Sequence, residues 1–131
     1  MFDVDTASQA LGIELVEAER GRAVARMAVR QAMVNGHDIA HGGYVFLLAD
    51  TAFACACNSH GPVTVAAAAE ITFVAAARRG DLLVATAAER TTFGRNGIYD
   101  VTVHRSTQAG AEVVAEFRGH SRIVEQPGPA G

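Results

Sequence analysis

Asp50 is the one charged side chain between Gly42 and Ser59, in a stretch otherwise made of Tyr, Val, Phe, Leu, Ala, Thr, Cys and Asn. Ionised carboxylates are costly to bury without partners, by several kcal/mol. Aspartate is also a mediocre helix former, so local propensity does not explain it. Two uses account for such a residue. One is structural, a bond to an Arg or a backbone donor at an interface. The other is chemical, a carboxylate facing a cleft whose surroundings tune it for base or nucleophile work. Eight residues earlier stands His41-Gly42-Gly43. Glycines at a helix N-terminus leave backbone N–H groups approachable, and the helix dipole adds partial positive charge. That combination suits a developing oxyanion. Eight helical residues span roughly 12 Å, too far for Gly42 and Asp50 of one chain to act on one carbonyl. Two such helices packed antiparallel across a dimer axis would close the gap, so the spacing predicts a homodimer with two shared sites.

The elements that must position these residues follow from patterning. Gly42 to Asn58 is apolar on every side without a period of two, and Asn58-Ser59-His60-Gly61-Pro62 stops it. It reads as one long buried helix. Ahead of it, Thr6 to Leu11 reads as a helical turn. Ile13 to Ala18 and Arg22 to Arg30 read as strands of a hairpin turning at Glu19-Arg20-Gly21, the second with Ala23, Ala25, Met27 and Val29 inward and an Arg face outward. After the helix, Val63 to Ala77, Leu82 to Thr92, Ile98 to Ser106 and Ala111 to Val124 read as strands, separated at Arg79-Gly80-Asp81, Gly94 to Gly97 and Thr107 to Gly110. Ala66 to Ala69 favours helix by propensity, but its valine and aromatic neighbours point to strand. The expected fold class is α+β, an antiparallel sheet of five to six strands wrapped round one long central helix. Residues 1–124 are expected to form one domain, and 125–131, with two Pro and two Gly, a disordered tail.

Composition narrows the function further. Hydrophobic residues make up 50% and charged residues 19%, which places the chain among globular proteins. All 11 cationic residues are Arg, scattered from Arg20 to Arg122, and the net charge is −3. No basic block is present to grip nucleic acid or a membrane surface. Cys55 and Cys57 are two apart on the helix and point in different directions, so they read as small buried hydrophobes of a reducing cytosol. The His residues show no metal spacing. No signal peptide or membrane span is read, and the expected location is cytoplasmic.

The run Asn35-Gly36-His37-Asp38-Ile39-Ala40-His41-Gly42-Gly43, continued through Leu47-Leu48-Ala49-Asp50, resembles the motif of hotdog-fold acyl-CoA thioesterases. Its continuation Thr51 to Ser59 looks most like the phenylacetic acid degradation branch. The resemblance implies hydrolysis of an acyl-CoA thioester with a ring-bearing acyl group, without a cofactor or metal, by dimers paired into a homotetramer. It assigns Asp50 as nucleophile or general base and the Gly42 N–H as oxyanion donor, with Asn35 and His41 orienting thioester and loop. Gly43 would contact substrate. Gly94-Arg95-Asn96-Gly97 reads as a hairpin turn, and the resemblance also places Arg95 and Asn96 near the coenzyme A phosphates. Tyr44 and Phe46 are candidates for the acyl pocket or for ordinary core. One departure stands out. Where some relatives carry a water-holding Ser or Thr on the strand after the helix, this chain has Ala66 to Ala69, with Thr64 the nearest hydroxyl. The competing readings are a non-catalytic acyl-CoA binding module on the same fold, and a hotdog dehydratase, whose acid and His pattern is not found here.

Overall fold

The structure, a computed structural model, describes residues 1–125. A 3-10 turn, Phe2–Val4, and a short helix α1, Thr6–Ala10, precede β1, Glu14–Glu19, and β2, Arg22–Ala28. The central helix α2 runs Gly42–Asn58, and four strands follow: β3, Val63–Phe73; β4, Leu82–Phe93; β5, Asn96–Thr107; and β6, Gly110–Glu125. Glu125, expected in the tail, belongs to β6 and pairs with Val63; the rest of the expected tail lies outside the described residues.

All six strands form one antiparallel sheet in the order β1-β2-β4-β5-β6-β3. Two-residue turns set three of the pairings. Arg20-Gly21 joins β1 to β2, Gly94-Arg95 joins β4 to β5, and Gln108-Ala109 joins β5 to β6. Gly94 has φ +60, the left-handed conformation that the first position of such a tight hairpin requires. The other two, β2 with β4 and β3 with β6, join strands that are not consecutive in the chain, and β3 lies farthest from its sequence neighbours. Having followed α2 across the sheet, it pairs only with β6 and forms an edge. It is shorter than expected: Val74 and Ala75 both direct their N–H to Val114 O, which ends the ladder, and Ala77 O instead accepts from Ala40 N at 2.7 Å.

The sheet curls over α2, the expected hotdog arrangement. Inward residues of β2, Ala23, Ala25 and Met27, are buried together with Leu83, Ala85, Ala87, Val101, Val103 and Phe117. Phe53 is the helix's largest contribution to this core, stacked at a tilt on Tyr99 and Phe117. A side chain at Gly119 would meet the Phe53 ring at 2.7 Å, so a glycine there is what lets the helix approach the strand. Within the single chain the sheet covers one face of α2. The helix is not enclosed on all sides: Gly43, Leu47, Asp50, Ala54 and Asn58 are exposed or half-exposed, three or four residues apart along one stripe. The chain's own sheet covers only the opposite face.

Candidate active site

The segment between β2 and α2 is built to present the helix N-terminus. Val34 and Ala40 form an isolated bridge, and His41 N–H donates to Met33 O at 2.7 Å. Between them Asn35 organises a tight loop. Its Oδ1 accepts from His37 N at 2.9 Å and from Ile39 N at 3.4 Å, while its own N–H donates to Ile39 O. This is the turn role its sequence context suggests. With Oδ1 engaged, the Nδ2 donors have no partner among the described residues, and Asn35 lines a cleft with Gly42. Asp38 takes φ +61, a conformation Asp tolerates at a turn.

His41 caps α2 directly. Its Nδ1 accepts the Gly43 N–H at 2.9 Å, which puts the ring proton of the neutral imidazole on the outward Nε2. The Gly43 N–H, expected to meet substrate, is therefore already satisfied within the chain. The Gly42 N–H has no acceptor among the described residues. Gly42 is also covered: a side chain there would meet the Phe73 ring at 2.9 Å. Phe73 and Gly42 share a cleft of about 420 Å³ with Asn35, Ile39, Val45 and Val74. Sequence reasoning missed Phe73, and no local signal marks a contact across so long a separation.

Asp50 lies on the uncovered stripe of α2, half-buried, with no hydrogen-bond or ion-pair partner among the described residues. Burial raises its carboxyl above the ordinary 3.8, and the charge of Asp5 adds to that. The structural account, a bond to an Arg or a backbone donor, finds no such partner among the described residues of the single chain.

The remaining candidates separate. Arg95 and Asn96 line a different cavity of about 310 Å³ beyond the C-terminal end of α2, beside His60, Glu89, Tyr99 and Ser121. There Glu89 Oε1 bonds both Tyr99 Oη at 2.8 Å and His60 Nε2 at 2.7 Å. Thr64 lines this second cavity too, but its hydroxyl donates to Pro62 O at 2.9 Å. Phe46 packs edge-on against Phe117, with ring centres 5.3 Å apart, and lies partly buried against the core. Tyr44 stands edge-on to His41 outside the Gly42 cleft. Arg78 and Arg79 form an exposed turn.

A curled antiparallel sheet around one helix is the hotdog fold, and here that helix carries a lone carboxylate and, at its start, an N–H without an acceptor among the described residues. Comparison with known proteins agrees. Residues 37–112 match the Thioesterase superfamily. The chain is 44% identical over 124 residues to the acyl-coenzyme A thioesterase PaaI of Escherichia coli, covering 95% of this chain and 86% of that protein. The solved structure of E. coli PaaI, from the phenylacetic acid degradation operon, superposes with a TM-score of 0.91 at 42% identity, over 96% of this chain and 89% of that one. A single-site mutant of the phenylacetic acid degradation protein PaaI from Thermus thermophilus superposes with a TM-score of 0.86 at 32% identity, over 92% of this chain and 100% of that one. The chain belongs to the Thioesterase superfamily. No helix among the described residues is long and apolar enough to cross a membrane.

Proposed function

We propose that this protein hydrolyses acyl-CoA thioesters, with aryl or phenylacetyl-type acyl groups as the preferred class, at sites shared between two copies of the chain. The observation that carries the reading is Asp50: a half-buried carboxylate without a counterion among the described residues, on the face of α2 that those residues leave uncovered. The acyl preference rests on the relatives that belong to phenylacetic acid degradation.

Dimerisation supplies what the single chain lacks. The edge strand β3 is long, apolar and exposed, with Val63, Val65 and Phe73 each about half accessible. Such an edge invites pairing with another strand. Antiparallel pairing of two β3 edges would bring the two α2 stripes together, and with them Gly42 of one copy and Asp50 of the other. The same pairing would bring Arg95 and Asn96 of one copy toward the partner's cleft. Within one chain, α2 separates the two cavities by roughly 25 Å.

In the proposed reaction the carbonyl oxygen accepts from the Gly42 N–H. Asn35 Nδ2 and His41 Nε2 hold the thioester and the loop, and Arg95 and Asn96 contact the coenzyme A phosphates. Asp50 acts as nucleophile or as general base. As base it takes a proton from water while the water oxygen bonds to the carbonyl carbon. As nucleophile it forms an anhydride that water then opens. Either route breaks the C–S bond and releases coenzyme A thiolate and the free acid. Ala66 to Ala69 of β3 carry no hydroxyl to hold this water, so either another group holds it or the nucleophilic route carries more of the work.

The test is thiol release from a panel of aryl and aliphatic acyl-CoAs by the parent and by Asp50→Asn. The expected result is turnover that is best with phenylacetyl-type substrates and lower by several decades in the variant. Equal rates would remove Asp50 from the chemistry. Binding without turnover in the parent would make the chain an acyl-CoA binding module.

A further inference from the structure

The N-terminal turn and α1 lie outside the sheet and dock on α2. A buried hydrogen-bond chain holds them there. Asp5 caps α1, with Oδ1 accepting from Ser8 N at 3.0 Å and Oδ2 accepting from Ser8 Oγ at 2.6 Å. Ser8 Oγ lies 2.7 Å from Thr51 Oγ1. A carboxylate only accepts, so the single Ser8 hydroxyl proton points to Asp5 and Thr51 donates to Ser8. Ser8 is 2% exposed and Thr51 5%. Buried hydroxyls need partners, and these two satisfy each other only when the N-terminal turn is in place. Thr51 directly follows Asp50. The chain therefore anchors a second carboxylate to the same stretch of helix that carries the proposed catalytic one.

The two carboxylates have unequal surroundings. Asp5 receives two hydrogen bonds, while Asp50 receives none among the described residues. The charged group that acts on Asp50 is Asp5, from the N-terminal turn, while Asp50 in turn acts on the Cys57 thiol of α2, which burial keeps neutral. No cation among the described residues acts on Asp50. Where two carboxylates share a region and only one is supplied with donors, the other is the one that holds a proton more tightly.

We propose that Asp5 is a positioning residue of the Asp50 site: tethered through Ser8 and Thr51, its fixed negative charge makes Asp50 a stronger base than burial alone would. The inference rests on Asp50 being the reacting carboxylate and adds a regulator of its basicity. Burial and Asp5 act on Asp50 in the same direction.

Asp5→Asn tests it, since Asn caps a helix as well as Asp, keeps an acceptor for Ser8 N–H and removes the charge. The readout is the titration of the Asp50 carboxyl carbon by NMR in the full chain, assigned by its loss in Asp50→Asn. The midpoint is expected at lower pH in Asp5→Asn than in the parent, and near the parent's in Asp5→Glu. Ser8→Ala, which releases the tether, should also lower it. The acid limb of kcat/KM should move to lower pH with Asp5→Asn, KM staying within about twofold of the parent. A parent-like midpoint in both Asp5→Asn and Ser8→Ala overturns the proposal. A parent that hydrolyses no acyl-CoA would overturn the functional reading alone, because the titration still decides the role of Asp5.

Discussion

His41 Nδ1 accepts the Gly43 N–H at 2.9 Å, so the imidazole at the start of α2 removes one of the two glycine donors and leaves the Gly42 N–H open. The helix N-terminus thus offers a single aimed donor rather than a diffuse patch of them. Phe73 of β3 stands beside Gly42, its ring 2.9 Å from where a side chain there would begin, and gives that donor an apolar neighbour.

Gly42→Pro should delete that donor and keep the helix. Gly42 is the first helical residue, where proline is well tolerated. His41 already has the extended φ −61, ψ 131 that a residue before proline needs. Loss of kcat by about 10²–10³ is expected, as for other oxyanion donors. Gly42→Ala adds the same Cβ beside Phe73 but keeps the N–H, and should lose less than about tenfold. Equal losses in steady-state kinetics would assign the effect to displacement of Phe73 instead.

A shared site predicts complementation. Gly42→Pro and Asp50→Asn homodimers should each be nearly inactive. A mixed dimer of the two places both defects in one site and leaves the other intact. Co-expressed and separately tagged, the purified mixed dimer should recover about half of the parent's kcat. Recovery of none would mean that Gly42 and Asp50 act within one chain or not at all.

Asp50 should cost the protein stability. Burial raises its carboxyl in the fold above the ordinary 3.8, so the folded chain binds this proton more tightly than the unfolded one. Its contribution is fully present below the unfolded value and is lost as pH rises through the folded one. Asp50→Asn should therefore match the parent in acid and exceed it at neutral pH, by roughly 2–5 °C in Tm. Calorimetry across a pH series from acid to neutral measures this. A lower Tm for the variant at neutral pH would show a counterion on Asp50 in the assembled protein.

Cys55 and Cys57 should be inert in the native state. Both are buried and free, and burial pushes Cys55 up to about 11 and Cys57 up to about 12. At pH 8 on the order of one Cys55 thiol in a thousand is ionised, and thiolate is the reactive form. A chromogenic disulfide reagent should label the native protein at least about 100-fold more slowly than the protein in guanidinium, which should yield two thiols per chain. Rapid native labelling would show that α2 opens on that timescale.

The places of Asp50 and Gly42 on α2 were legible in the sequence because their signals are local: a lone charge in an apolar helix, and glycines at its start. The strands were legible for the same reason, since Arg20-Gly21, Gly94-Arg95 and the alternation of Ala23, Ala25 and Met27 each lie within a few residues. Even the helical propensity of Ala66 to Ala69 yielded to the neighbouring pattern, and those residues lie in β3. Periodicity, however, tells which face of an element is apolar and not what covers it. Whether Phe46 joins the core against Phe117, which edge β3 occupies, and how much of α2 stays bare depend on where distant segments come to rest. The Phe73 ring over Gly42 and the Ser8–Thr51 bond that carries Asp5 to the Asp50 turn join residues far apart in the chain. No spacing rule links such pairs. Only the folded path of the backbone brings them within contact, and that path settles which groups surround the carboxylate.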